Sequence, residues 1–106
     1  DYLYGGKGAD TLKGGAGDDV IEIGPGEDIA TGGAGADVFI IRPSSETATI
    51  TDFRTGEDRI ALFQVDDFAD LVISRSGADA LIIAGETTLR LEGVRPGHLD
   101  NDDFIF

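Results

Sequence analysis

Gly5-Gly6-Lys7-Gly8-Ala9-Asp10-Thr11-Leu12-Lys13 runs without a gap into Gly14-Gly15-Ala16-Gly17-Asp18-Asp19-Val20-Ile21-Glu22. A weaker copy follows, Ile23-Gly24-Pro25-Gly26-Glu27-Asp28-Ile29-Ala30-Thr31, and then a clean one, Gly32-Gly33-Ala34-Gly35-Ala36-Asp37-Val38-Phe39-Ile40. The pattern is G-G-x-G-x-D-x-U-x, with U apolar. Each G-G-x-G-x-D can close a tight turn, because glycine accepts a positive φ without a Cβ clash. Each x-U-x is a three-residue strand that sends one side chain inward. The inward set is Leu3, Leu12, Ile21, Ala30 and Phe39. With turns alternating between two edges, Leu3, Ile21 and Phe39 line one sheet, and Leu12 and Ala30 the other. Ala30 is the undersized member of that core.

Working outward, the chain opens inside a repeat, since Asp1-Tyr2-Leu3-Tyr4 fits the last four repeat positions. This points to a piece of a longer protein, and its start says nothing about targeting. Eleven of the 16 glycines fall before residue 36, so composition changes near residues 40–43. Residues 1–41 read as repeat turns. Residues 42–106 read as a small antiparallel β cap that closes the open end of the stack, whose last coil would otherwise expose strand edges. Strands are expected over 48–51, 59–63, 71–75, 80–84 and 87–92, which are rich in β-branched and aliphatic residues. Gly85-Glu86 reads as a hairpin turn. Val65 to Leu71 has helical spacing and predicts one short helix. The fold class is therefore all-β.

Composition narrows the function. At 106 residues the chain holds one domain or two small cooperating halves with a modest core, and its hydrophobic fraction of 41% lies below the globular norm. With no cysteine, neither disulfides nor thiolate sites can staple it, which leaves metal ions. The net charge of −13, from 21 acidic and 8 basic residues, argues against nucleic acid and anionic membrane surfaces. No apolar run approaches the length of a membrane span. A solvated acidic surface would explain the charge alone, but not why Asp10, Asp19, Asp28 and Asp37 keep one fixed repeat position.

That register carries the chemistry. If two repeats make one coil, Asp10 stacks on Asp28 along one edge and Asp19 on Asp37 along the other. Two carboxylates about 4–5 Å apart repel by roughly 3–4 kcal/mol at an effective dielectric near 20. A divalent cation between them reverses the sign. Carboxylates together with turn carbonyls form an all-oxygen shell, which suits Ca²⁺. Zn²⁺ prefers nitrogen or sulfur, and the chain has one histidine; Mg²⁺ demands a tighter octahedron.

Residues 1–40 resemble the hemolysin-type, or RTX, calcium-binding repeats of bacterial secreted proteins. The resemblance implies a right-handed parallel β-roll. It also implies that one turn supplies the carbonyls of positions two and four plus its aspartate, and the turn two repeats later those of positions one and three plus its own. Carried over, one site takes Gly6, Gly8, Asp10, Ile23, Pro25 and Asp28. A second takes Gly15, Gly17, Asp19, Gly32, Ala34 and Asp37, and a third joins Asp1 to Gly14, Ala16 and Asp19. Gly24, Gly26, Gly33 and Gly35 hold positions two and four of the later copies and extend the ligand set toward the cap, where Glu46 or Asp52 could complete a terminal site.

Ile50-Thr51-Asp52-Phe53-Arg54-Thr55-Gly56-Glu57-Asp58-Arg59-Ile60 is similar to the stretch after the last repeats of secreted RTX enzymes, with Asp52 and Asp58 read first as turn caps and otherwise as ligands of a site at the cap. Asp102-Asp103-Phe104-Ile105-Phe106 resembles the uncleaved signal read by type I exporters, or an ordinary last strand. The resemblance implies a secreted, extracellular bacterial protein. Its partners would be calcium ions, a type I secretion exporter and an upstream domain of the same protein. The function expected is calcium-induced folding that supports secretion and stability. The alternative is a carbohydrate- or surface-binding module, although the outward positions Thr11, Lys13, Val20, Glu22, Ile29 and Thr31 make no aromatic or basic ladder. No enzyme is expected here. The chain lacks His-Glu-x-x-His and Gly-x-Ser-x-Gly, His98 reads as a surface loop residue, and Asp66-Asp67 and Asp102-Asp103 read as helix starts and solvated acids.

Overall fold

Short strands separated by glycine turns can bury their alternate side chains only by stacking, and the chain does so in two sheets. In the computed structural model, which describes residues 2–42, 45–62 and 68–105, eleven strands are divided between them, alternating as far as β8. The first sheet is built from β1 (Tyr2–Tyr4), β3 (Val20–Ile23), β5 (Val38–Ile41), β7 (Arg59–Leu62) and β11 (Phe104–Ile105), in that spatial order. The second contains β2 (Thr11–Lys13), β4 (Gly26–Thr31), β6 (Ser45–Ile50), β10 (Thr87–Leu91), β9 (Asp79–Ala84) and β8 (Val72–Ser76).

The register places the apolar position of every repeat in one column per sheet. Leu3 pairs with Ile21, Ile21 with Phe39, Phe39 with Ile60 and Ile60 with Phe104, all in parallel. Across the core, Leu12 pairs with Ala30, Ala30 with Ile50 and Ile50 with Leu91. The inward set read from the repeats is thus the inward set of the structure. Ile21, Ala30, Phe39, Ile50, Ile60 and Leu91 are fully buried, each large aliphatic contributing roughly 1.5–3 kcal/mol. Phe39 offsets the small Ala30: its ring reaches the Gly32 turn on one side and lies 6.4 Å from the Phe53 ring on the other.

The boundary at residues 41 and 42 marks a change of turn chemistry, not a break in the sheets. β6 and β7 continue both sheets in parallel, as do β10 and β11, while antiparallel pairing among the described residues is confined to β8, β9 and β10. An alternating apolar pattern is sufficient to add coils, with or without glycine turns. The hairpins at Gly77 and Gly85 each place glycine, at φ 61°, in the first loop position that a II′ turn needs. Of the helix expected over 65–71, Phe68–Asp70 forms a single 3-10 turn, and residues 65–67 lie outside the described residues. Two further 3-10 turns, Pro96–His98 and Asn101–Asp103, lead into the last strand. Asp102 is solvated as expected, but Asp103 is buried, its oxygens accepting from the Gly56 and Asp100 amides at 3.2 and 2.9 Å.

Among the described residues Phe39 is the largest fully buried side chain, and it stands in the middle of its column. Replacing it (Phe39→Ala) is expected to cost about 3–5 kcal/mol in calcium, read as a lowered denaturation midpoint. A loss below about 1 kcal/mol would mean that the column is not the core's main support.

Candidate metal centre

The turns that precede the strands stack as closely as the strands do. In the clean copies the second and fourth positions are left-handed, with φ of 72° and 95° at Gly6 and Gly8, and 86° and 101° at Gly33 and Gly35. Stacking adds a second demand for glycine. A Cβ on Gly24 would lie 2.2 Å from the Gly6 carbonyl oxygen, and one on Gly33 would lie 2.2 Å from that of Gly15. The Gly8 and Gly17 oxygens meet Gly26 and Gly35 in the same way, at 2.6 and 2.5 Å. The carbonyls of positions two and four therefore point along the stack into the following turn. The Gly32 oxygen faces back toward Gly14, as expected of a position-one carbonyl.

The aspartates form a ladder along the two edges. Asp28 Oδ1 accepts the Asp10 amide at 2.8 Å, and Asp37 Oδ1 accepts the Asp19 amide at 2.9 Å. Asp28 and Asp37 are almost wholly buried, at 2% and 1% exposure. The Oδ2 atoms of Asp10, Asp28 and Asp37 are buried with no hydrogen-bond partner among the described residues. Leaving a buried carboxylate oxygen unsatisfied is costly, and more so without a cation nearby. Burial raises the Asp28 carboxyl above its ordinary pKa, with the Asp10 charge adding to the shift and the Asp10 amide opposing it. Burial likewise raises Asp37, reinforced by the charges of Asp58, Asp19 and Asp52 against the opposing Asp19 amide.

Of the residues assigned from sequence, Gly6, Gly8, Asp10, Gly24, Gly26 and Asp28 meet at one edge. Gly14, Gly15, Gly17, Asp19, Gly32, Gly33, Gly35 and Asp37 meet at the other. Ile23 ends β3 with its side chain buried, Pro25 is half-buried, and Ala16 and Ala34 are exposed at their turns. Asp1 and the Glu46 side chain lie outside the described residues. Asp52 spends both oxygens on backbone, accepting the Gly32 and Gly33 amides at 2.8 Å each.

Asp58, read from the sequence as a turn cap or a cap-site ligand, is a member of the ladder. Asp58 Oδ1 accepts the Asp37 amide at 2.9 Å, repeating the step between Asp37 and Asp19, while its Oδ2 accepts the Arg54 amide at 2.9 Å. It is both a turn cap and the next rung. Its signal was present: Phe53 to Ala61 keeps the glycine of position four (Gly56, φ 87°), the aspartate of position six and the apolar residue of position eight. Burial raises the Asp58 carboxyl too, the Asp37 and Arg54 amides working against the shift and the charges of Asp52 and Glu57 with it.

The donor set suits calcium. Buried carboxylate oxygens without partners, beside carbonyls aimed between coils, are hard oxygen donors that a divalent cation satisfies. When bound, calcium supplies the positive charge that the ladder lacks: Asp28 and Asp37 have no basic partner among the described residues.

Comparison with known proteins agrees. The RTX calcium-binding nonapeptide repeat matches in four copies over residues 1–29 and 22–40. The fold is similar to that of the AlgE6R3 subunit of the mannuronan C5-epimerase of Azotobacter vinelandii, with TM-score 0.76 and 28% identity over 100% of this chain and 72% of that one. It is equally similar to the AlgE6R2 subunit, with TM-score 0.76 and 27% identity over 100% of this chain and 87% of that one. The extracellular lipase LipA of Serratia marcescens shares the fold at TM-score 0.70 and 17% identity, over 92% of this chain but 20% of the lipase. No curated protein matches the sequence.

Two outcomes are expected. With calcium chelated, Asp28, Asp37 and Asp58 bind protons more readily folded than unfolded. The stability this confers is complete below the unfolded carboxylate pKa of about 4 and is lost as pH rises through the folded values. Circular dichroism in chelator should therefore report more β structure near pH 4 than near pH 7, and the opposite trend would contradict the burial argument. Asp37→Asn keeps an oxygen for the Asp19 amide and removes the charge. It should weaken calcium binding by roughly tenfold or more while raising the metal-free folded fraction, a pair of opposite signs that calorimetry and dichroism read separately.

Proposed function

We propose that this chain, a calcium-binding β-roll whose first 40 residues are RTX nonapeptide repeats, is a folding switch that calcium closes outside the cell. The observation that carries the reading is the set of buried, unpartnered Oδ2 atoms on Asp10, Asp28 and Asp37. Without a cation, those atoms and the glycine-rich backbone oppose folding, the one by desolvation and repulsion, the other by conformational entropy. Extracellular modules bind calcium with dissociation constants of about 10⁻⁴–10⁻³ M, far above cytosolic levels. At ten times its dissociation constant each site adds about 1.4 kcal/mol, and two or three coupled sites move a marginal module from mostly unfolded to mostly folded.

Such a switch suits export of an unfolded chain through a type I exporter, followed by folding that stabilises a preceding domain. The C-terminal segment supports this order. Phe104 and Ile105 pair with Ile60 and Ala61, and Phe104 is buried. An exporter reading that segment would meet it before the last strand docks. The chain itself carries no catalysis in this reading.

A second reading, an extracellular carbohydrate-binding module, is favoured by likeness to two subunits of a mannuronan C5-epimerase.

Calcium titration of the 106-residue chain, followed by far-UV circular dichroism, tests the switch. The metal-free chain should be largely disordered across its repeats, with a cooperative rise in β signal near millimolar calcium. A β spectrum indifferent to chelator would falsify the switch.

A further inference from the structure

Away from the repeats, charge is distributed against the trend of the whole molecule. In a chain of net charge −13, an open cleft of about 630 Å³ is lined by Arg75, Arg95 and His98 with Ile73, Ser74 and Pro96, and by no carboxylate among the described residues. Its two walls are β8 and the Pro96–His98 turn. The turn is closed by the His98 amide donating to the Arg95 carbonyl at 2.9 Å, which holds residues 95 and 98 together. Arg75 is tethered through Nε to the Gly77 carbonyl at 3.0 Å, leaving its two terminal nitrogens for another acceptor. Neither Arg75 nor Arg95 has an ion-pair partner among the described residues.

An acid that shares a neighbouring hollow with both arginines does not neutralise them. Behind Arg75, Arg95 and Pro96 a smaller hollow contains Asp79, whose oxygens are held by Arg90 at 2.8 Å and the Gly93 amide at 2.9 Å. His98 also borders an acidic hollow with Asp58, Asp100, Asp102 and Asp103, so the two arginines carry the positive character of the cleft.

We propose that the cleft between β8 and the Pro96–His98 turn is an oxyanion site for a compact, multiply charged ligand bearing carboxylate or sulfate groups. Planar guanidinium forks match such groups in bidentate geometry. The volume lies in the range of small-ligand sites, with Ile73 and Pro96 offering apolar surface and Ser74 a hydroxyl. The same chemistry is available from a free polycarboxylate or from acidic sugar units of a polysaccharide. The site draws no residue from 1–41 and does not depend on the calcium switch.

Heteronuclear NMR on the calcium-loaded chain tests it with three probes: sulfate, tricarballylate and a galacturonate trimer, with acetate as control. Saturable shifts confined to residues 73–75 and 95–98 are expected. Arg75→Gln with Arg95→Gln should weaken them about tenfold or more, while the calcium transition stays in place. Both side chains are exposed, so the variant should fold, and the single reversal Arg95→Glu checks the result independently. Tighter binding of the trimer would identify the polysaccharide source, and tighter binding of tricarballylate the free ligand. No localised shift with any probe, or shifts unchanged in both variants, would overturn the site.

Discussion

Carboxylates spaced one coil apart along the edge of a stack constrain everything else in this molecule. Hydrogen bonding satisfies half of each group: the Oδ1 atoms of Asp28, Asp37 and Asp58 accept the amides of Asp10, Asp19 and Asp37, one coil earlier. The other half is buried without a donor among the described residues at Asp10, Asp28 and Asp37. Those oxygens share their turns with carbonyls packed so tightly that several glycines have no room for a methyl group. Strand pairing thus forces the acids together, and calcium, the ligand of these repeats, removes the resulting penalty.

Where the repeats end, the chain meets the same difficulty by different means. Asp52 gives both oxygens to the amides of Gly32 and Gly33, Asp58 divides its oxygens between Asp37 and Arg54, and Asp103 accepts from Gly56 and Asp100. Backbone amides there do the work that a cation does in the repeats. The coils from β6 onward are also richer in large aliphatic side chains, with Ile50, Ile60, Leu62, Leu89 and Leu91 wholly or almost wholly buried. One roll therefore contains coils of two kinds, glycine-turned ones that carry the calcium-binding repeats and apolar ones closed by amides. The hairpin strand β8 and the Pro96–His98 turn bring together two arginines with no ion-pair partner among the described residues, a positive feature on an otherwise acidic molecule.

Much of this was legible in the chain. The nine-residue period determined which side chains face inward, which sheet each strand joins, which turns stack and why the ion is calcium, because period, glycine placement and aspartate register are properties of sequence. The strands after residue 42 were legible from β-branched runs, but their partners were not. Parallel pairing of β6 with β10 and of β7 with β11 joins residues about 40 positions apart, and no local pattern encodes so distant a contact. Asp58 was legible as a turn cap or cap-site ligand, but its place as the next rung was not, for a related reason. Its step from Asp37 is 21 residues rather than 18, so it falls out of phase with the repeat while remaining in register with the sheet. The tertiary structure alone also decided that Asp103 is buried and that Arg75 and Arg95 share a cleft, since burial and proximity arise when distant strands close on one another.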